Sequence, residues 1–499
     1  MHHPSLYQIN TRVVLNERGV ELGRPATLDD FPDAALDDIA AKGFEWVWFL
    51  GVWQTGQAAR QVSRTNPSLR AEFKNELPDL REEDITGSPF AVVAWDVNKD
   101  FGGDAALARI RQRLAKRGIK LLLDFVPNHV APDHPWVQTH PEYLIRGTEE
   151  DLAREPHNYV RLKTGKGSMV LAHGRDPYFA GWPDTLQLNY RHAGFREAQI
   201  GELGRIAERC DAVRCDMAML VQPEIFQRTW GERARPADGS PPKDTPFWPE
   251  AIATVRRKWP DFMFVAEVYW DMEWELQQAG FDYTYDKRLY DRQVARQGRP
   301  VREHLLATPT YQDHSLRFLE NHDEPRAAAT FEPPVHKAAA AITFFVPGLR
   351  FFHEGQLEGR KVHVSMHLGR RPKEPVNQEL KAFYDKLLAA LRRPEAREGQ
   401  WRLWECRQAW QGNFTHEQFT VMTWESGDRR LLVVSNYGPS AGQCYVTLGI
   451  PALAGKHFTL VDLLGDDRFD REGDGLVSNG LYLDVPAWGH HVFDVQRRA

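Results

Sequence analysis

The sequence predicts an α/β fold: a closed (β/α)8 barrel with an excursion inserted after the third strand and a C-terminal antiparallel β-sandwich. Three observations predict it. Short apolar runs alternate with helix-like segments from about residue 6 to 390, the pattern of a parallel sheet wrapped by helices. Three of these runs end in a carboxylate, at Asp216, Glu267 and Asp323, as strands do at the rim of such a barrel, where their C-terminal ends converge on one mouth. After residue 391 the texture changes to short alternating runs broken by turns.

Eight runs qualify as barrel strands: 6–9, 46–50, 120–124, 212–216, 262–267, 281–285, 317–321 and 349–353. Each is short, apolar and rich in branched or aromatic residues, and eight is the barrel number. A β/α unit takes about 30 residues. Asp124 and Asp216 are 92 residues apart, so a long excursion must separate the third and fourth strands. It is loop-like, with Pro132, Pro135, Pro141, Pro156, Pro177 and Pro183 and four glycines. Glu267 and Asp323 are 56 residues apart, the length of two plain units. Residues 231–246, rich in Pro, Gly and charge, read as a long loop at the same rim, and 377–391 as a helix. The expected organisation is a barrel at 1–128 and 191–392, an inserted domain at 129–190 and an all-β domain at 393–499, a division suited to a chain above the usual single-core limit.

Composition narrows the function. The 63 basic and 69 acidic residues are spread along the chain and nearly cancel, which argues against a nucleic-acid or anionic-membrane partner and for a neutral substrate. No apolar run reaches the length of a membrane span, and Leu6-Tyr7-Gln8-Ile9 is too short for the core of a secretion signal. Cys210, Cys215, Cys406 and Cys444 have no metal or disulfide-framework spacing, so the expectation is reduced thiols and a cytoplasmic protein.

The strand ends carry the chemistry. Period-two alternation in 212–216 puts Arg214 and Asp216 on one face, and an arginine beside a carboxylate keeps it ionised, as a nucleophile requires. Alone, an Arg-x-Asp is more often a structural ion pair. Glu267 follows five apolar residues and precedes Val268, Tyr269 and Trp270, surroundings that disfavour its charged form and suit a proton donor. Alone, such a glutamate is more often a cap or an ion-pair partner.

Together these segments resemble the ordered motifs of the α-amylase superfamily, glycoside hydrolase family 13. Asp124-Phe125-Val126-Pro127-Asn128-His129 resembles its first motif and Ala212-Val213-Arg214-Cys215-Asp216 its second. Ala266-Glu267-Val268 and Phe318-Leu319-Glu320-Asn321-His322-Asp323 resemble the third and fourth, and Gln187-Leu188-Asn189 a further one. The resemblance implies a TIM-barrel retaining α-glycoside hydrolase acting on malto-oligosaccharides or α-glucans. In it Asp216 would be the nucleophile, Glu267 the acid and base, and Asp323 the group that holds the distorted sugar. Arg214, His129, His322 and Asn321 would line the first glucose site, with Asp124 supporting it and Phe90, of Gly87-Ser88-Pro89-Phe90, as its aromatic floor. No cofactor is required, and calcium is left open: Asn128 is the position that would ligate it.

The chain departs from the family pattern after the nucleophile, where Met217-Ala218-Met219-Leu220 replaces a Lys-His pair, and the histidine carbonyl that often completes the calcium site is missing. An apolar segment there could exclude water and favour transfer, although Met and Leu are more often plain packing. The alternative is therefore a transglycosylase or glucosyl isomerase using the same intermediate. A non-catalytic binding protein on this fold would have lost members of the acid set, and all three are present. Trp182, Trp230, Trp248, Trp270 and Trp274 lie on rim loops as candidate floors of outer subsites. His363-x-x-x-His367 lacks a third metal ligand, and Thr164-Gly165-Lys166-Gly167-Ser168 lacks the residues of a phosphate loop. The oligomeric state does not follow from the sequence.

Overall fold

A computed structural model of the chain describes residues 2–498. Eight parallel strands close a barrel: β1 (Ser5–Asn10), β2 (Trp46–Leu50), β3 (Lys120–Phe125), β4 (Ala212–Cys215), β5 (Met263–Ala266), β6 (Tyr283–Tyr285), β7 (Ser315–Arg317) and β8 (Leu349–His353). Each pairs with its neighbour in sequence, and β8 returns to β1, so no strand edge is left open. All five residues of β2 and of β8 are buried, which is why β2 reads as a continuous apolar run rather than an alternating one.

The strand ends differ from expectation in an instructive way. β4 stops at Cys215 and β5 at Ala266, so Asp216 and Glu267 are the first residues past their strands. Both still donate their backbone N–H to the neighbouring strand, Asp216 to Phe125 O at 2.8 Å and Glu267 to Cys215 O at 3.0 Å, which fixes where each carboxyl leaves the sheet. β7 is the largest correction: it covers Ser315–Arg317 instead of 317–321. Arg317 is fully buried, its guanidinium spent on Asp286, on Gln312 and on Pro347 O, so the paired segment lies lower in the barrel. Residues 318–321 then run unpaired towards the mouth.

The excursion after β3 is tied at its base by a two-residue ladder, His129–Val130 against Leu186–Gln187, and contains the hairpin Tyr159–Thr164 and Gly167–Ala172. The Thr164 to Ser168 segment is the turn of that hairpin. A second excursion was not anticipated, although 70 residues separate Leu50 from Lys120. It holds the antiparallel strands Trp53–Thr55 and Val92–Val97 with helices Gln57–Thr65 and Pro67–Glu76 between them. The 231–246 loop opens with the short turn Gly231–Ala234 and is pinned to the barrel by Arg191 to Asp244 at 2.5 Å and His192 to Asp238 at 3.0 Å.

Beyond the helix Gln378–Leu391, a six-stranded and a three-stranded antiparallel sheet face each other. Period-two alternation sorts the side chains of the larger sheet. Val421, Leu432 and Val434 point to the smaller sheet, while Met422, Trp424, Leu431 and Val433 join the barrel's own core. Trp424 reaches across to donate from Nε1 to Phe345 O at 2.7 Å. Among the described residues no helix is long and apolar enough to cross a membrane, and the four cysteines are free and buried.

Candidate active site

Arg214 organises the mouth. It is the third residue of β4, 1% exposed, with its guanidinium among the rings of Trp48, Phe90 and Tyr285 at 5.4 to 5.8 Å. One terminal nitrogen lies 2.6 Å from Asp216 Oδ1, and the other 2.7 Å from Glu267 Oε2 and 3.9 Å from Asp323 Oδ2. Three acids from β4, β5 and the segment after β7 thus meet around one planar cation. Burial alone would lower the Arg214 pKa, but Glu267, Tyr285, Asp216 and Asp323 outweigh it and hold the group protonated.

The acids are held differently. Glu267 is buried, and its pKa is pushed up to about 8 by burial, with Asp216 and Asp323 adding to the rise and Arg214 opposing it. Tyr269 OH donates to its Oε1 at 2.9 Å, and the Met217 N–H to its Oε2 at 2.7 Å. Met217 can do so because it turns left-handed, φ 43°, a conformation costing a branchless L-residue about 1–2 kcal/mol. Asp323 keeps 43% of its side chain open to the mouth, and its pKa is raised by burial of the surrounding site against the pull of Arg214.

The other expected site residues fall around this centre in two groups. His322 lies beside Asp323, Nε2 to Oδ2 3.1 Å, and its Nδ1 accepts from Gln8 Nε2 at 2.9 Å. That places the proton on Nε2, facing the acid. Burial lowers the pKa of His322 and of His129, so both are neutral. Phe90 packs against His322, centroids 5.6 Å apart, and covers Arg214. His129 sits 5.2 Å from the Trp182 ring and within range of the Asp216 charge. Asp124 and Asn321 stand one step behind. Both oxygens of Asp124 accept from protein, from Trp48 Nε1 at 3.1 Å and Gly51 N at 2.7 Å, and burial raises its pKa to about 7. Asn321 Oδ1 accepts from Asp323 N and Glu324 N at 2.8 and 2.9 Å, forming the turn that presents Asp323.

The residues around Asn128 do not fit a calcium ion. Gln187 Nε2 donates to Asn128 Oδ1 and Asn128 O, both at 3.0 Å, and to Leu188 O at 3.1 Å. An amide nitrogen therefore occupies the centre of the oxygens a hard cation would need. His363 and His367 are likewise not a ligand pair: His363 bridges Glu76 and His322 O, and His367 contacts Ser63.

The segment after Asp216 is mostly packing. Ala218, Met219 and Leu220 are buried, and only Met217 is partly open. Of the five rim tryptophans, Trp230 and Trp248 are buried, whereas Trp182, Trp270 and Trp274 reach the surface. Trp270 lies edge-on to Tyr178 at 5.0 Å, beside Phe179, which is 73% exposed. Sequence reasoning missed Gln8, Trp48, Tyr269 and Tyr285. A lone amide inside an apolar strand marked Gln8, and period two from Glu267 marked Tyr269; the His363-x-x-x-His367 spacing marked His363 only as a metal-ligand pair.

A family model described as the catalytic domain of alpha amylase matches residues 94–405. Among curated relatives, the α-amylase MalA of Haloarcula japonica is 27% identical over 278 residues, covering 54% of this chain and 36% of that protein. The α-1,4-glucan:maltose-1-phosphate maltosyltransferase of Rhodospirillum rubrum is 25% identical over 275 residues, covering 53% and 32%. The chain thus spans about a third of the length of these relatives. Among solved structures, the maltogenic α-amylase AmyB of Thermotoga neapolitana superposes with a TM-score of 0.68 at 18% identity over 99% of this chain and 98% of that one.

Proposed function

The chain belongs to the α-amylase family, and from that premise we propose that it is a retaining α-glycoside hydrolase acting on α-glucosidic bonds of malto-oligosaccharides or α-glucans. The observation that carries the reading is the Arg214 fork, which touches Asp216 and Glu267 at once. Two carboxyls held by one guanidinium lie close together, which supports the retaining reading, whose two carboxyls stand about 5–5.5 Å apart.

In the first step an Asp216 oxygen attacks the anomeric carbon while the bond to the leaving oxygen breaks, and the Glu267 proton passes to that oxygen. In the second the Glu267 carboxylate takes a proton from the acceptor as its oxygen displaces Asp216. Glu267 is suited to both duties because its raised pKa keeps it protonated at neutral pH in the free enzyme. Asp323, His322 and Arg214 present a carboxylate, a ring N–H and a cation to the sugar ring, while Phe90 offers a stacking face. Water as acceptor gives hydrolysis and a second sugar gives transfer. Relatives named for each activity match about half of the chain, so transglycosylation is the alternative. The free, buried cysteines support a cytoplasmic setting.

Asp216→Asn and Glu267→Gln are each expected to lower kcat by about 10³-fold or more while the protein still melts cooperatively as a folded chain, by analogy with loss of a nucleophile or its partner. Full activity in either sinks the mechanism. Anomer-resolved NMR of the first product should show the α-anomer, and chromatography on maltoheptaose should show shorter products for hydrolysis or redistributed lengths for transfer.

A further inference from the structure

Beside the mouth, a cavity of about 640 Å³ lies between the first helix (Thr11–Leu22), the start of helix Gln57–Thr65 and the Gly369–Arg370 segment. Five arginines line it. Three have carboxylate partners: Arg24 with Asp30, Arg81 with Glu83, and Arg370 with Asp79 and Asp84. Arg12 and Arg60 have none within 4.0 Å among the described residues.

Arg12 is 8% exposed, and each of its acceptors is neutral: Thr55 Oγ1 and Thr86 Oγ1, both at 3.1 Å, and Gly87 O. Arg60 spends only its Nε on protein, on Ile85 O at 3.3 Å, leaving both terminal nitrogens to the cavity. The two cations feel each other. Burial and then Arg60 press the Arg12 pKa down to about 10, while burial and then Arg64 lower that of Arg60, with only Asp100 pulling the other way at longer range.

Holding two partly desolvated guanidinia together without a counter-charge is unfavourable, and a ligand that brings the charge reverses the sign. A tetrahedral oxyanion matches guanidinium forks in geometry and leaves an oxygen over for the Thr55 hydroxyl, the Thr86 hydroxyl being spent on His367 O. We propose that Arg12 and Arg60 form an anion site that takes a phosphate group, either as free inorganic phosphate or on a phosphorylated sugar. Arg12 also holds Gly87 O, three residues before Phe90, so the bound anion would stiffen the segment that floors the glucose site. The site is independent of the proposed hydrolysis, and its test needs no turnover.

Isothermal titration of the full chain at constant ionic strength, with inorganic phosphate, glucose 6-phosphate and glucose as probes, decides it. Saturable one-site binding of either phosphate, with none by glucose, is expected. Arg60→Gln should weaken it about 10- to 100-fold, the worth of a charge-assisted hydrogen bond or two, while Arg60→Lys keeps most of it. Arg60 is partly exposed, so a matching thermal melt can verify that the variant folds. Tighter binding of glucose 6-phosphate assigns a phosphorylated sugar, and equal binding assigns phosphate itself. No binding of either phosphate, equal binding of glucose, or binding unchanged in Arg60→Gln overturns the proposal.

Discussion

Arg214 sets the charge balance of the mouth, because three acids share one cation and cannot all be ionised at equal cost. Glu267 is pushed up to about 8, first by burial and then by the two other carboxyls. The basic limb of kcat/KM should therefore fall as pH rises through about 8, the value to which Glu267 is pushed. Tyr269→Phe removes a donor that favours the ionised carboxyl, so the limb should move to higher pH; an unmoved or lowered limb in a pH–rate profile contradicts that role. The same shift bears on stability. The unfolded chain releases this proton near 4.5 while the native state holds it to about 8, so native protein binds more protons between those values and loses stability as pH rises across them. At this scale Arg214, Asp216, Glu267 and Asp323 were legible from strand-end position and motif. Gln8 and His363, which hold His322 from either side, were not, because they come from 314 and 41 residues away.

At the scale of elements, the acids stand immediately past their strands, anchored by backbone bonds but free of the sheet's alternation. That is why the apolar pattern finds them yet carries β4 and β5 one residue too far at their C-terminal ends. β7 was displaced further because a buried Arg317, satisfied by β6 and the turn before β8, outweighed the apolar run that follows it. Gly348 makes that turn. It has φ +114°, and a Cβ there would lie 2.0 Å from Ser315 O, the first residue of β7. Gly348→Ala should cost about 3 kcal/mol, through backbone strain and overlap together, and be read as a lowered denaturation midpoint. An unchanged midpoint would mean that this turn is not held by the β7–β8 pairing. The excursion after β3 was visible as surplus length and proline. The one after β2 carried the same surplus and contributes Phe90, Thr55 and the wall of the anion cavity.

Across the whole molecule, the six-stranded sheet serves two cores at once, and Trp424 is its peg into the barrel. Trp424→Ala should remove about 3–5 kcal/mol, the usual cost of truncating a fully buried large aromatic, while KM stays put because the residue lies far from the mouth in the fold. A calorimetric scan with matched kinetics would check this; a changed KM with unchanged melting would contradict it. The sequence alone determined the barrel, its strand count and the two-part architecture and singled out the candidate acids, because apolar periodicity, spacing and short motifs are local and survive without neighbours in space. Only the tertiary structure decided how those acids divide their charge and whether the Asn128 oxygens remain free for a cation. It alone also decided that two arginines 48 residues apart would be left facing one cavity without a carboxylate partner among the described residues. Those are outcomes of desolvation and of contacts between distant segments, and neither burial nor the absence of a counter-ion is written in any window of the chain.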